Sequence, residues 1–347
     1  MGKFLKWCFL LIILCCVSFL FVKNYHINIT HKQNNQEGVN TKQNQQFQEN
    51  TENYFNLGIE AHKTGNYKLA IEYYSKAILT GFSDIHDLAI AYYNRGNSYV
   101  AINDYTQAIA DYTKTLEINP NYADAYANRA VITYMVLGNY NQAMEDFYKA
   151  IELDPDDAVF YNKRGELYYT LKEYEKALND FRKSVELNPQ YAKAYINIGK
   201  TSYASYLPYI LDQNKIIRLL TPIIEIYNTA IKIDPYNAEA YCERGKIYHT
   251  LGISYYVNSP YSEQFYQNLK PPGNNNPCLD YQSSADCENA LAYHNQSIAD
   301  FDKAIQINPK YAEAYYYRAE TYVKMGKTDL ARSDYTRACS LNTQYCK

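Results

Sequence analysis

The sequence contains little tryptophan and none of the short motifs that mark common catalytic or metal sites. One of its 347 residues is Trp, and its six His form no HExxH or other metal-ligand spacing. It has no glycine-rich phosphate loop, no GxSxG motif and no Cys-x-x-Cys pair. Because catalysis needs a nucleophile, a base or a metal in a defined arrangement, the sequence predicts no catalytic residues, no metal site and no cofactor. We therefore expect that the chain is not an enzyme.

An excess of positive charge is also missing. The chain has 34 Lys and Arg against 37 Asp and Glu, with a net charge of −3 and a pI near 6.1. Nucleic-acid binding through phosphates usually needs a basic patch or field, so the composition predicts no nucleic-acid partner. Tyrosine is abundant, with 41 residues against 12 Phe. Its ring can pack between helices while its hydroxyl stays near water.

One apolar run without charge stands at the N-terminus. It covers Trp7–Val22, with Lys3 and Lys6 before it and Lys23 after it. As a helix it would span about 24 Å, somewhat less than the roughly 30 Å hydrocarbon layer of a membrane. Snorkelling of the flanking lysines could make up the difference.

Two interpretations of this run remain open. Residues 4–22 are an uncleaved membrane anchor, or residues 1–23 are a secretory signal with a cleavage site near Cys16-Val17-Ser18. Both predict that the rest of the chain leaves the cytoplasm, as a single-pass membrane protein or as a secreted one. Residues 24–50 are rich in Asn, Gln and Lys and have little to bury, so they predict a disordered linker.

The rest of the chain repeats one pattern. Between Ala89 and Tyr191 the pattern occurs three times without interruption, with Pro120, Pro155 and Pro189 spaced 35 and 34 residues apart. Seven such units can be aligned, which begin at Thr51, Ala89, Ala123, Ala158, Ala192, Ala238 and Ala312. A repeat of this length predicts stacked supersecondary units.

Fixed positions recur in all seven units. In the first helix of each unit, called helix A, the fourth residue is Tyr and the eighth is Gly or Ala. In the second, helix B, an aromatic residue is followed three positions later by a small one, so both lie on one face. The aromatic residues are Tyr74, Tyr112, Phe147, Phe181, Tyr227, Phe301 and Tyr335.

This pattern resembles the tetratricopeptide repeat family, whose unit is 34 residues of two antiparallel helices. The resemblance implies an all-α fold, an α-solenoid of about seven helix-turn-helix repeats forming a superhelix over residues 51–347. In that family the small residue of helix A allows helices A and B to cross closely. The second, fifth, sixth and ninth positions of helix A line a concave groove.

Two stretches depart from the repeat. An insertion near 204–221 lengthens the fifth unit, and Thr221-Pro222 there predicts an N-cap followed by the first residue of a helix. A second insertion, near 254–293, contains Pro-Pro-Gly and Asn-Asn-Asn and predicts a loop. Its tyrosines are compatible with a binding element and its composition with a disordered loop, and both alternatives remain open.

Five units share a correlated pair of charged residues. Those with Arg at the seventh position of helix A also have Asp on helix B, whereas Leu57 and Ile198 occur with Tyr73 and Ile226. The correlation predicts an ion pair within each unit. The pairs are Arg95 with Asp111, Arg129 with Asp146, Arg164 with Asp180, Arg244 with Asp300 and Arg318 with Asp334.

Asparagines recur at the positions that the family places in the groove. An amide carries donors and an acceptor that match a peptide unit, so these side chains predict a binding face for extended peptide. The alternative is that the motif Tyr-x-Asn-Arg-Gly is common throughout this family and does not indicate peptide binding. The predicted groove residues are Asn94, Asn97, Asn128, Lys163, Asn197 and Lys200. Charge along this face changes from neutral through basic to acidic, at Glu239, Glu243, Glu313 and Glu320, which could orient a partner.

Cysteine spacing predicts two disulfides if the repeats are extracytoplasmic. Cys278 and Cys287 bracket a short loop in the long insertion, and Cys339 and Cys346 lie seven residues apart near the C-terminus. Cys242 remains as a small core or groove residue.

These features predict a non-catalytic scaffold that binds a protein or extended peptide at the outer side of a membrane. A secreted soluble factor released by signal cleavage is the first alternative. The second is an enzyme with the long insertion as a lid, for which the sequence offers no nucleophile and base. Homo-oligomerisation is possible, but the sequence does not determine it.

Overall fold

The computed structural model describes residues 47–206, 213–255 and 284–346. Within these ranges every regular element is a helix, so the predicted all-α solenoid is confirmed. The chain divides into two compact units, the first ending at Asp146 and the second beginning at Phe147, and each is described on its own. No helix in the described ranges is long and apolar enough to cross a membrane. The predicted anchor, residues 4–22, lies outside them.

The first compact unit contains five helices and the start of a sixth. They are α1 (47–63), α2 (Tyr67–Thr80), α3 (Ile85–Ala101), α4 (Tyr105–Ile118), α5 (Ala123–Leu137) and α6 (Tyr140–Leu153), which continues past the boundary. Residues 47–50, the end of the predicted linker, belong to α1. The hydroxyl of Thr51 donates to the carbonyl of Phe47 and lies 2.9 Å from that of Gly81, which fixes this first turn against the end of α2.

The second compact unit contains the remaining helices. They are α7 (Ala158–Thr170), α8 (Tyr174–Leu187), α9 (Ala192–Tyr206), α10 (Gln213–Ile233), α11 (Ala238–Ser254), α12 (Ser284–Ile307), α13 (Ala312–Lys324) and α14 (Thr328–Leu341), followed by a 3-10 helix, Thr343–Tyr345. Odd-numbered helices are the A helices of the seven repeats and even-numbered helices are the B helices.

The Asn-Pro sequence between repeats has a defined structural role. The side-chain oxygens of Asn119, Asn188 and Asn308 each accept from the backbone N–H two residues later, at 3.0 Å. The proline that follows the asparagine has no N–H with which to continue helix B. Together they make the chain turn into the next helix A.

Close crossing of helices A and B explains the small eighth residue. A Cβ added to Gly165 would lie 2.7 Å from the ring of Phe181, and one added to Gly199 would lie 2.5 Å from the ring of Tyr227. Both rings are at most 1% exposed. The predicted contact between the small residue and the aromatic residue is therefore confirmed for the repeats that have Gly at this position, and these rings lie at the centre of their helix pairs.

The prediction that a helix starts at Pro222 was wrong. Helix α10 runs from Gln213 to Ile233 with Pro222 inside it, and the hydroxyl of Thr221 donates to the carbonyl of Ile217 at 2.7 Å. Buried residues lie before the proline, at Ile216 and Leu220, and after it, at Ile223 and Tyr227. Because both parts pack on one core, the helix tolerates the missing backbone bond.

The predicted insertion near 254–293 is shorter than expected at its C-terminal end. Residues 284–293 form the first turns of α12, where Cys287 and Ala290 are buried. Their three-residue spacing continues the buried face of the helix through His294 and Ser297. Residues 256–283, with most of the predicted binding loop and with Cys278, lie outside the described residues.

Candidate peptide-binding face

The five predicted Arg–Asp pairs are confirmed as ion pairs within repeats. Each guanidinium binds its aspartate through two hydrogen bonds of 2.6–2.8 Å. The five Asp side chains are only 3–9% exposed, so these pairs are more buried than salt bridges on a protein surface. A buried pair with both carboxylate oxygens bonded is a structural element, not an open ligand site.

Each arginine also contacts other parts of the repeat array. The guanidinium lies 5.3–5.7 Å from the ring of the Tyr three residues earlier on helix A. In four repeats the Nη1 atom donates to the preceding helix B, at Ser75, Thr113, Asn228 and Asp302. In the fourth repeat the ring of Tyr148 replaces this acceptor and lies 5.2 Å from the Arg164 guanidinium.

In the first compact unit, the predicted groove residues form a cluster of amides and tyrosines. Asn97 Oδ1 accepts from the Tyr112 hydroxyl at 2.6 Å and from Asn128 Nδ2 at 3.2 Å. Asn128 Nδ2 also donates to the Tyr93 hydroxyl at 3.0 Å. Burial raises the pKa of Tyr93 to about 12, with a smaller contribution from Asp124. The donors of Asn128 are therefore used to join α3 to α5.

Asn94 differs from Asn97 and Asn128. The Asn94 side chain makes no hydrogen bond to the described residues and is half-buried on α3. Asn97 is held in one orientation, because its Oδ1 accepts two bonds and its amide also bonds the Tyr93 hydroxyl. The amide donors of Asn94 are thus available to a carbonyl acceptor, one turn of α3 before the fixed side chain of Asn97.

In the second compact unit the predicted asparagine is part of the packing. Asn197 is 6% exposed, and its Nδ2 donates to Asn162 Oδ1 and to Glu166 Oε1, both at 2.9 Å. These bonds connect α7 to α9. Lys163 lies half-buried on α7.

The basic and acidic groups of the same unit bind one another. Glu239 accepts from Lys193 at 2.7 Å and from Lys200 at 2.9 Å, and Lys246 binds both Glu243 and Glu313. Burial opposes the charge on Glu239, but the two lysines outweigh it and lower its pKa. The sequence does change from basic to acidic along this face, as predicted. In the structure, however, these lysines and glutamates bind one another and form salt bridges between successive A helices.

A pair of buried histidines was not singled out from the sequence. The rings of His249 and His294 lie 5.9 Å apart between α11 and α12, and His249 Nδ1 is 2.9 Å from the Thr321 hydroxyl of α13. Burial, with a smaller contribution from nearby Lys324, lowers the pKa of His249 to about 3. Burial also lowers that of His294 to about 3, with smaller contributions from His249 and Lys324. His294 occupies the position in helix B at which other repeats have Tyr105 and Tyr174. This change from Tyr to His is the signal by which the sequence could have revealed the pair.

The cysteines and possible metal ligands complete the description. Cys339 and Cys346 form a disulfide, whereas Cys242 is free and buried. Cys287 is 1% exposed. No group of three or more His, Cys, Asp or Glu side chains in the described ranges could hold a metal ion.

Comparison with known families identifies the chain. Models described as tetratricopeptide repeat match residues 51–79, 89–122, 111–145, 158–191 and 312–345, and a model described as TPR repeat matches 133–172, 224–252 and 293–326. The chain therefore belongs to the tetratricopeptide repeat family, whose members are protein-interaction scaffolds.

Individual relatives match only part of the chain. DnaJ homolog subfamily C member 7 of Mus musculus is 37% identical over 73 residues, which is 21% of this chain and 15% of that protein. Photosystem I assembly protein Ycf3 of Acaryochloris marina is 32% identical over 81 residues, 23% of this chain and 48% of that protein. The chain thus matches less than half of the length of either relative.

Solved structures share the fold at low identity. PilF of Pseudomonas aeruginosa has a TM-score of 0.52 and 18% identity, covering 76% of this chain and 97% of that one. A tetratricopeptide repeat protein of Parabacteroides merdae has a TM-score of 0.55 and 16% identity, covering 86% and 98%.

Proposed function

We propose that this chain is a membrane-tethered, extracytoplasmic scaffold that binds an extended segment of a protein partner on the A-helix face of its repeats. The observation that carries the binding part is the amide of Asn94, whose donors are unused among the described residues and which lies one turn of α3 before the fixed amide of Asn97. A peptide in extended conformation presents carbonyl oxygens along its length, and an amide held in place can bind one without reorganisation.

The proposal assigns different roles to the predicted asparagines. Asn94 and Asn97 contact the partner, whereas Asn128 and Asn197 hold neighbouring A helices together. Family membership supports a protein partner, and Ycf3 is by its name an assembly protein. The membrane location is supported by the apolar run Trp7–Val22 and its flanking lysines.

The binding part is tested with single alanine variants of the full chain as bait for its partner. Asn94→Ala should reduce partner recovery about fivefold or more while leaving the melting temperature unchanged, since an exposed-face amide contributes little to folding. Asn121→Ala, in an exposed turn, is the matched control. Equal recovery with Asn94→Ala, Asn97→Ala and the control would exclude this face as the binding surface.

The location is tested by extraction and intact mass. An anchored chain remains in the membrane pellet after alkaline carbonate treatment and keeps its N-terminal segment. Recovery of a mature chain that begins at Phe19 would replace the anchor by the secreted alternative.

A further inference from the structure

The last described residues of the chain fold back onto helix A of the seventh repeat. Asn342 follows α14, and its Oδ1 accepts from the backbone N–H of Gln344 at 3.0 Å, which starts the 3-10 helix Thr343–Tyr345. The ring of Tyr345 then lies 5.0 Å from the ring of Tyr316 on α13. Tyr316 is the fifth residue of its helix A, one of the positions that line the groove in this family. The tail, residues 342–346, therefore covers part of the A-helix face.

Tyr345 is held on an aromatic surface. The ring of Tyr316 lies 5.4 Å from that of Tyr317 and 5.8 Å from that of Tyr335 on α14, and we call these three residues the aromatic site. Tyr345 is half-buried, whereas the other residues of the tail are exposed. Burial raises the pKa of Tyr345, and nearby Glu313 contributes in the same direction. Tilted aromatic pairs at these distances are favourable, so the contact shows that this part of the A-helix face accepts an aromatic ring.

A disulfide ties the tail in this position. Cys339 of α14 is bonded to Cys346, seven residues later, and the closed loop contains Tyr345. The backbone N–H groups of Tyr345 and Cys346 donate to the carbonyls of Asn342 and Thr343, both at 3.1 Å. Chain termini fray unless they are tied down, and one ring contact with local turn bonds is a weak tie. The disulfide thus determines how much of the time Tyr345 occupies the aromatic site.

A dithiol can exchange this bond. Cys346 is exposed and Cys339 is half-buried, so Cys346 Sγ is the more accessible sulfur. A thiolate of the dithiol attacks that sulfur and breaks the S–S bond, and Cys339 leaves as a thiolate that takes up a proton. The second thiol of the dithiol then displaces Cys346 from the mixed disulfide. Two electrons and two protons have passed to the chain, which now carries two thiols, and the dithiol has become a disulfide.

We propose that the tail is a disulfide-controlled strap over a binding site for an aromatic side chain of the protein partner. The oxidised strap keeps Tyr345 on the aromatic site, and reduction by a dithiol releases it, so that a ring of the partner takes its place. This inference rests on the proposed scaffold function, because both place the partner on helix-A positions. It adds the kind of side chain that the partner presents and the condition under which it is admitted.

The test uses the full chain and a fluorescein-labelled copy of residues 342–347, Asn-Thr-Gln-Tyr-Ser-Lys-amide, in which Ser replaces Cys, followed by anisotropy. Cys346→Ser should bind this probe about fivefold or more tightly than the oxidised wild type, because its own ring is no longer tied to the site. Combined Tyr345→Ala and Cys346→Ser should bind it more tightly still, since no ring competes within the chain.

Tyr236→Ala is the matched control, since it removes a tyrosine of the same compact unit that is 78% exposed. It should bind the probe as the oxidised wild type does. Equal binding by the oxidised wild type and by both Cys346→Ser variants would overturn the proposal. Equal binding of a probe with Ala in place of Tyr would overturn it as well, because the site would then not select an aromatic ring.

The redox equilibrium of the disulfide gives a second readout that does not depend on the probe. If the bond holds the ring on Tyr316, the ring contact must favour the bond by the same factor. In Tyr345→Ala the bond should therefore be reduced at an about threefold lower ratio of reduced to oxidised dithiothreitol, as expected for the loss of one aromatic pair. Mass spectrometry of the alkylated C-terminal peptide measures the reduced fraction, and Tyr236→Ala should leave it unchanged. The same ratio in Tyr345→Ala and the wild type would show that ring and bond are independent, which contradicts the strap.

The two proposals fail separately. If Asn94→Ala lowers partner capture but neither Cys346→Ser variant binds the probe more tightly than the oxidised wild type, the strap proposal is wrong and the scaffold proposal stands. If the probe binds as expected but Asn94→Ala and Asn97→Ala leave partner capture unchanged, the amide face on α3 is the part that fails.

Discussion

At the scale of single residues, the repeated arginine connects three helices. Arg129 on α5 binds Asp146 on α6 through two hydrogen bonds and Thr113 on α4 through a third, at 3.2 Å. Its guanidinium also lies 5.6 Å from the ring of Tyr126. Because Asp146 is almost fully buried, loss of the arginine would leave a carboxylate without its counter-charge in a low-dielectric site.

Arg129→Met should therefore lower the free energy of unfolding by about 2–4 kcal/mol, somewhat less than for a fully buried pair because the arginine is partly exposed. Chemical denaturation at neutral pH measures this value. Lys149→Ala is the control, since it breaks an exposed helical pair with Glu152 and should cost about 0.5 kcal/mol or less. Similar losses in both variants would mean that the arginine has no special structural role.

The histidine pair makes stability depend on pH. In the folded state the pKa values of His249 and His294 are about 3, below the ordinary value of 6.5. Below pH 6.5 the unfolded chain therefore binds more protons than the folded chain. The free energy of unfolding is therefore unaffected by these two groups above about pH 6.5. It decreases progressively as the pH falls from 6.5 toward 3, because the folded chain must keep both rings neutral.

Between pH 7 and pH 4.5 the wild type should lose about 2–5 kcal/mol of unfolding free energy through these two groups. Denaturation at a series of pH values measures the loss. His249→Val, which introduces the residue found at this register position in the second and seventh repeats, should reduce it by about half. The exposed His86→Asn is the control and should leave the profile unchanged. An unchanged profile in His249→Val would contradict the assignment.

At the scale of helices, the repeated register was sufficient to predict most of the fold. The close contact of Gly165 with Phe181 and the pairing of Arg164 with Asp180 followed from comparing repeats with one another. The two insertions that interrupt the repeats were less predictable. Thr221-Pro222 has the local form of a helix start, and only the core shared by Ile216 and Tyr227 shows that the helix passes through it.

The candidate site was predictable to a smaller extent. The sequence marks Asn94 and Asn128 alike, because both occupy the sixth position of helix A. Whether an amide is used internally depends on its neighbours in the adjacent repeat, such as Tyr93 and Asn97 of the preceding repeat for Asn128. Those distances follow from the packing of the repeats and not from their spacing in sequence.

Continuity of α10 has a measurable consequence. Inside a helix, proline is about 3 kcal/mol less favourable than alanine, whereas at the first helical position it is well tolerated. Pro222→Ala should therefore raise the free energy of unfolding by about 1–3 kcal/mol. Pro189→Ala, in the turn after α8, is the control and should be neutral or destabilising. A loss of stability in Pro222→Ala would restore the interpretation in which a helix begins there.

At the scale of the whole molecule, the oxidation state of the C-terminal cysteines reports where the repeats reside. Cys339 on α14 and Cys346 after the 3-10 helix form a disulfide, whereas Cys242 is a buried thiol. Disulfides persist in extracytoplasmic compartments and are reduced in most cytosols. Both the anchored and the secreted interpretation place the repeats outside, so both require this bond to be present in cells.

We therefore expect Cys339 and Cys346 to resist alkylation until a reductant is added. Intact cells are treated with N-ethylmaleimide, and the protein is then denatured with the same reagent, reduced and labelled with a heavier maleimide. Mass spectrometry should find the light label on Cys242, which serves as the internal thiol reference, and the heavy label on the C-terminal pair. Light label on all three cysteines would place the repeats in a reducing compartment, because only free thiols react before reduction. That result would exclude the extracytoplasmic location, but it would leave the protein-binding face to be judged by its own variants.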